Sequence, residues 1–257
     1  MKLTILLLAA STAVSCGSDK GKPSGKNDKP STPDRPVAPV KQLDPATVGT
    51  IRGVVSFEGA PPSDRELGIT ETACRSVHDS PPKMGKVLVA DGKLQNVFVY
   101  IESGLDGYAF APPDTEVVIN QHGCIYEPLV VGVQVGQKLT FVNGDPVLHN
   151  IHTVPEENDG ANFAMPSQGM RVSKTFDVPE IMVPTKCDVH PWMRAYIGVV
   201  DHPHFAVTGA DGAFELKGVP PGDYTVGIWH EQYGVQSVKV TLPPSGEAAA
   251  DFTVTAK

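Results

Sequence analysis

Several things this 257-residue chain lacks narrow its nature at once. Beyond its first residues, no stretch is apolar over the roughly 20 residues that a membrane-spanning helix needs. It has no tract of lysine or arginine. With 21 basic and 29 acidic side chains the net charge is -8, so the sequence carries no electrostatic footprint for nucleic acid. Helical periodicity is weak throughout, and only Ser63 to His78 offers a place for a short helix. There is no repeat that would build a longer array. Cysteine is scarce, at four: Cys16, Cys74, Cys124 and Cys187.

What is present begins with an export signal over residues 1–16. Lys2 supplies the positive start, Leu3 to Ala10 a short apolar core, and Ser11, Thr12, Ala13 and Ser15 the small residues before Cys16. The ending AVSC resembles a bacterial lipoprotein signal. That resemblance implies lipid on the Cys16 sulfur, a membrane anchor, and residence in the bacterial cell envelope as a periplasmic or outer-membrane lipoprotein. Plain secretion with a free Cys16 is the alternative. Residues 17–48 read as a disordered Pro/Lys-rich linker, with Pro23, Pro30, Pro33, Pro36, Pro39 and Pro45 among polar residues and no apolar period to bury.

From Thr50 the pattern changes to short β-like runs separated by Gly, Pro and Asp: IRGVVSF, KVLVA and LQNVFVYI around a DGK turn, LVVGVQV, KLTFVN, VSKTFDV and RAYIGVVD. Asp-Gly tolerates positive φ and marks a hairpin. Such spacing predicts an all-β sandwich. After His204 the turns GADGA and PPGDY punctuate further strands. The segment GAFELKGVPPGDYTVGIWHE resembles carboxypeptidase regulatory-like domains, which implies a transthyretin-like sandwich that stiffens or presents its neighbour.

Chemistry concentrates in CDVHPWM, which places the Cys187 thiolate, the His190 imidazole and the Met193 thioether within seven residues. Upstream, PVLHNIH supplies His149 and His152 after a strand. Thiolate, two imidazoles and a weak thioether are the ligand set of a blue-copper electron-transfer centre, because they suit both oxidation states of copper. With its C-x2-H-P-W-M loop and His-Asn-x-His segment, the chain resembles the cupredoxins, those of the amicyanin type above all. The resemblance implies one type 1 copper on His149, Cys187, His190 and Met193. It also implies a Greek-key sandwich and a non-enzymatic protein that passes single electrons between redox proteins, a c-type cytochrome being a reasonable partner. No small-molecule substrate is expected.

The expected architecture is therefore all-β, with a cupredoxin-like Greek-key β-sandwich over 49–203 followed by a small transthyretin-like β-sandwich over 204–257. Around the metal, the resemblance gives Asn150 the task of tying the two ligand loops together. Pro191 fixes φ within the loop and removes an N–H. Trp192, with Pro146, Val147 and Leu148, either borders a docking patch or simply packs. His190 is the expected exposed edge through which electrons pass. His152 matches a position that does not bind copper. Met165, Met170 and Met182 read as core or loop methionines.

With Cys16 lipidated and Cys187 on the metal, Cys74 and Cys124 remain as a disulfide pair. The alternative is a second metal site with His78 and His122. His202, His204 and His230 read as hydrogen-bonding groups at a domain interface, with a second metal the lesser reading. Two rivals to the electron carrier stand: a copper carrier or sensor, and a surface β-sandwich protein. A copper oxidase or nitrite reductase is disfavoured, since Lys186 and Asp188 rather than histidines flank Cys187.

Overall fold

The computed structural model describes residues 40–256, so the expected signal, Cys16 and the first part of the linker lie outside the described residues. Strands dominate, and the single short helix among the described residues, Thr72–Arg75, falls inside the stretch where one is expected. The DGK turn also forms: Val89–Ala90 pairs antiparallel with Lys93–Leu94, with Asp91 at φ 49° and Gly92 at φ 70°.

Two sandwiches result. In the first, a sheet ordered Ala161–Met165, His149–Thr153, Glu180–Lys186, Arg194–Val200, Val130–Gln134 faces a sheet ordered Arg171–Lys174, Leu139–Asn143, Val117–His122, Ile125–Glu127. Ile119, Leu139, Phe141, Ile151, Ile197 and Val199 fill the space between them. In the second, Gly49–Glu58 is central. It pairs with Ala213–Val219 and Lys93–Leu94, and in parallel with Glu247–Ala249 and Phe252–Thr255. Opposite lies a sheet ordered Phe205–Val207, Phe98–Ser103, Gly222–His230, Gly234–Leu242. The strand AFELKGV shows why this sheet forms, since Phe214, Leu216 and Val219 face the core and the residues between them face solvent.

The boundary expected between 203 and 204 is not where the sheets divide. Gly49–Glu58 and Phe98–Ser103 belong with the strands after 204, so the first sandwich is inserted into the second rather than preceding it. The linker expected up to residue 48 also ends earlier: Lys41 N–H donates to the Gly107 carbonyl at 2.7 Å and Ser245 N–H to the Thr47 carbonyl at 2.8 Å.

A third apolar cluster joins the two sandwiches, built from Phe98, Val130, Met182 and Val200 with Tyr196, Phe205 and Trp229 beside them. It explains why RAYIGVV is almost continuously apolar. Alternate side chains of Arg194–Val200 face the first core and the junction, so both faces are covered. Gly132 and Gly198 are cross-strand neighbours on the junction face. A Cβ on Gly198 would sit 2.5 Å from the Phe98 ring, so only glycine lets that ring lie flat on the strand.

Candidate metal centre

The sequence places the candidate ligands at strand ends, where backbone pairing holds them. His149 opens His149–Thr153. Cys187 directly follows Glu180–Lys186, and Arg194–Val200 begins directly after Met193. The intervening loop closes on itself: Met193 N–H donates to the His190 carbonyl at 2.9 Å, and Cys187 N–H to the Met193 carbonyl at 3.3 Å. All four candidates are buried, at 0% for His149, 1% for Cys187, 3% for His190 and 1% for Met193.

The donor atoms of His149, Cys187 and His190 converge within 4.8 Å of one another. His149 Nδ1 and His190 Nδ1 are 3.0 Å apart, and His190 Nδ1 is 3.8 Å from Cys187 Sγ. Ligand atoms around one tetrahedrally coordinated ion are about 3–4 Å apart, so this set fits a single metal. Both rings are oriented by carboxylates on their far side. His149 Nε2 lies 2.9 Å from Asp145 Oδ2, and His190 Nε2 lies 2.8 Å from Glu71 Oε2. With each Nε2 turned to a carboxylate, each Nδ1 is left on the inner side of the cluster, the side of the Cys187 thiol. Met193 shares the same buried core as Cys187.

Asp145 is itself tightly held, accepting from Gly123 N–H at 2.7 Å and Cys124 N–H at 2.9 Å. Burial works against its ionisation, but the hydrogen bonds from His149 and these two amides outweigh it and keep its pKa below the ordinary value. Burial likewise works to raise the Cys187 thiol, yet hydrogen bonds from His149, from the Asn150 and His190 amides and from the His190 ring bring it down to about 6. Burial opposes protonation of His149, and Asp145 and Cys187 overcome it, raising the imidazole to about 9. The pocket thus favours a thiolate with positive charge beside it, the electrostatics that a metal cation satisfies.

The supporting residues fall into place around this set. Asn150 Oδ1 accepts from Asp188 N–H at 2.6 Å, a hydrogen bond between the segments that carry His149 and Cys187, and its amide donates to Asn162 Oδ1 at 2.8 Å. Tyr126, which the sequence did not single out, adds a second link: its hydroxyl lies 2.7 Å from the Asn150 carbonyl and 3.1 Å from that of Lys186. Trp192 Nε1 donates to the Cys124 carbonyl at 2.9 Å, with its ring 5.3 Å from that of His190. Pro191 is exposed in the loop. His152 turns to Asp188 at 2.8 Å instead of the ligand cluster. Met165 packs in the first core, where Gln121 donates to its sulfur, Met170 packs against that core, and Met182 lies in the junction.

Two expectations change. His190 is not an exposed edge. Glu71, from the segment before Thr72–Arg75, covers its Nε2, and Cys124 Sγ lies 3.8 Å from the same atom. Pro146 and Leu148 are exposed and Val147 is half-buried, so an apolar surface exists near His149 rather than over His190. Cys74 and Cys124 form a disulfide, and His78 and His122 do not join them: His78 Nε2 lies 2.8 Å from the Gly123 carbonyl, and His122 faces Asp145 at 3.7 Å. His202 Nε2 lies 2.9 Å from the Ile101 carbonyl and His204 Nδ1 lies 3.0 Å from the Lys217 carbonyl, so these rings bind backbone. Among the described residues, none of the metal-competent side-chain groups includes His202, His204 or His230.

Comparison with known proteins gives likenesses for both sandwiches. Residues 191–255 match the family model of the Carboxypeptidase regulatory-like domain. That match starts inside the ligand loop and omits the strands that residues 49–103 contribute to the same sandwich. No curated protein sequence matches the chain with significance. Among solved structures, a copper(I) mutant of amicyanin is 25% identical over 39% of this chain and 97% of its own, at a TM-score of 0.30. A purple cupredoxin from Nitrosopumilus maritimus is 25% identical over 34% of this chain and 99% of its own, at a TM-score of 0.28. A copper-containing nitrite reductase from Thermus scotoductus SA-01 is 23% identical over 39% of this chain, at a TM-score of 0.30; this chain spans 25% of the reductase's length. Part of the chain is thus similar to a carboxypeptidase regulatory-like domain.

Proposed function

We propose that this protein carries single electrons on one type 1 copper held by His149, Cys187 and His190, with Met193 as a weak fourth ligand. The observation that carries the reading is the burial of one thiol and two imidazoles with converging donor atoms, each ring held from behind by a carboxylate. When bound there, copper supplies a one-electron couple. The chain's part is to hold the donors still. Strand ends fix the ligand positions, Asp145 and Glu71 fix the rings, and Asn150 and Tyr126 lock the two ligand segments together. A donor set that does not move between oxidation states keeps reorganisation small.

Burial also favours electron transfer over catalysis. An electron crosses a few ångströms of packed side chain, whereas a substrate must reach the ion. A redox protein is therefore the partner, a c-type cytochrome among the candidates. The exposed apolar side chains Leu148, at 46%, and Val189, at 45%, flank the ligand segments and suit such a contact. We place the protein in the bacterial cell envelope, anchored through lipid on Cys16. Titration of the copper-loaded protein with one-electron mediators tests the function. Reversible uptake of one electron per chain supports it. Copper that is released on reduction, or that consumes oxygen with a phenolic donor, contradicts it.

A further inference from the structure

Behind His190 lies a second group of donor atoms that the electron-carrier reading does not use. Glu71 Oε2, Cys74 Sγ, Cys124 Sγ and His190 Nε2 all fall within 4.8 Å of one another. Glu71 Oε2 is 2.8 Å from His190 Nε2 and 3.8 Å from Cys74 Sγ, and Cys124 Sγ is 3.8 Å from His190 Nε2. Apart from the disulfide and the hydrogen-bonded Glu71–His190 pair, these separations are those of ligands sharing one tetrahedral ion. Two sulfurs, one nitrogen and one carboxylate oxygen suit a borderline-to-soft d10 cation such as Zn2+. Cys74 and Cys124 are fully buried, while the Glu71 side chain is 43% exposed and gives the group a side open to solvent.

We propose that the Cys74–Cys124 disulfide is the closed form of a redox-gated second metal site, formed by Glu71, Cys74, Cys124 and His190. Opening takes two electrons from a thiol reductant, which becomes a disulfide and supplies the two protons, or from a phosphine, which becomes a phosphine oxide while water supplies the oxygen and the two protons; either way two thiols result. Binding of a divalent cation then releases both thiol protons, and the two thiolates, the Glu71 carboxylate and His190 Nε2 become its ligands. Where His190 Nδ1 is already engaged, its Nε2 would hold the second cation only after losing its own proton to solvent. In the closed form Glu71 Oε2 instead lies within hydrogen-bond distance of His190 Nε2, so the same carboxylate serves both states. The cation is bound whether or not copper occupies the first site, so failure of one assignment is distinguishable from failure of the other.

The test uses the full-length copper-loaded protein and Cd2+ as probe. Copper is counted first. The disulfide is then opened with a phosphine, the reductant is removed by gel filtration, free thiols are counted, and folding is checked by circular dichroism. Cadmium is added while its ultraviolet thiolate charge-transfer band is followed, and bound metal is counted after dialysis. The reduced chain is expected to bind one more cadmium than the unreduced chain and one more than the reduced Cys74→Ser/Cys124→Ser variant. Glu71→Gln, which leaves the disulfide and both cysteines in place, is expected to weaken that extra cadmium about tenfold or more. Equal cadmium in the reduced and unreduced chains, an unchanged count in the double serine variant, or a disulfide that opens only when the fold is lost would each overturn the proposal.

Discussion

At the scale of single residues, the proposed centre depends as much on Asp145 and Glu71 as on the candidate ligands whose rings they orient. Asp145 sits four residues before His149, in NGDPVLH, and holds the His149 ring by its Nε2 while gripping the amides of Gly123 and Cys124. Asp145→Asn keeps the shape and removes the charge. We expect copper affinity to fall about 10–100-fold, read by competition with a chelator, with the fold intact; unchanged affinity contradicts the steering role. The candidate ligands were legible in the sequence because three of them crowd into CDVHPWM and the fourth lies in an HN motif. Glu71 was not, because it stands 119 residues from the ring it covers, and nothing local marks it. That long-range contact is also why His190 is closed off rather than exposed.

At the scale of elements, the strand Arg194–Val200 links the metal loop to the rest of the molecule. Its odd face closes the core behind the ligands, and its even face meets Phe98 and Phe205 across two glycines. Gly198→Val inserts a branched side chain where the Phe98 ring lies. We expect a loss of about 1–3 kcal/mol in stability, measured by denaturant unfolding, from overpacking. A variant as stable as the parent would mean that the junction is loosely packed. Strands such as AFELKGV and the DGK hairpin were readable from alternation and turn chemistry. Their partners were not, since Gly49–Glu58 finds Ala213–Val219 more than 150 residues later, and alternation shows which face is buried but not against what. The nested order of the sandwiches follows from that pairing, which is why a boundary drawn from a change in composition at residue 204 misses it.

At the scale of the whole molecule, the second sandwich makes the protein sensitive to acid. Burial lowers the pKa of His204, aided by repulsion from His202, and of His230, each to about 4 from 6.5. Above pH 6.5 these rings are neutral in both folded and unfolded chains and add no pH dependence. As pH falls from 6.5 towards 4 only the unfolded chain takes up the protons, so stability declines by about 1.4 kcal/mol per pH unit for each ring. His149, raised to about 9, acts in the opposite sense in the metal-free chain, so the comparison belongs to copper-loaded protein. The check is denaturant unfolding at pH 7 and pH 5, together with NMR titration of the His204 and His230 rings. Ring signals that titrate near 6.5 in the folded state contradict the burial argument.

The central claim, that His149, Cys187 and His190 hold one copper through a thiolate bond, is tested most directly by the optical and EPR spectra of the copper(II)-loaded protein beside those of Cys187→Ser. A cysteine thiolate bound to copper(II) in a constrained, buried site gives an intense visible thiolate-to-copper charge-transfer band and a narrow copper hyperfine splitting. The account predicts both in the parent protein, at one copper per chain, and the loss of the band in Cys187→Ser. A pale protein with the wide hyperfine splitting of ordinary tetragonal copper(II), unaltered by that substitution, would contradict it.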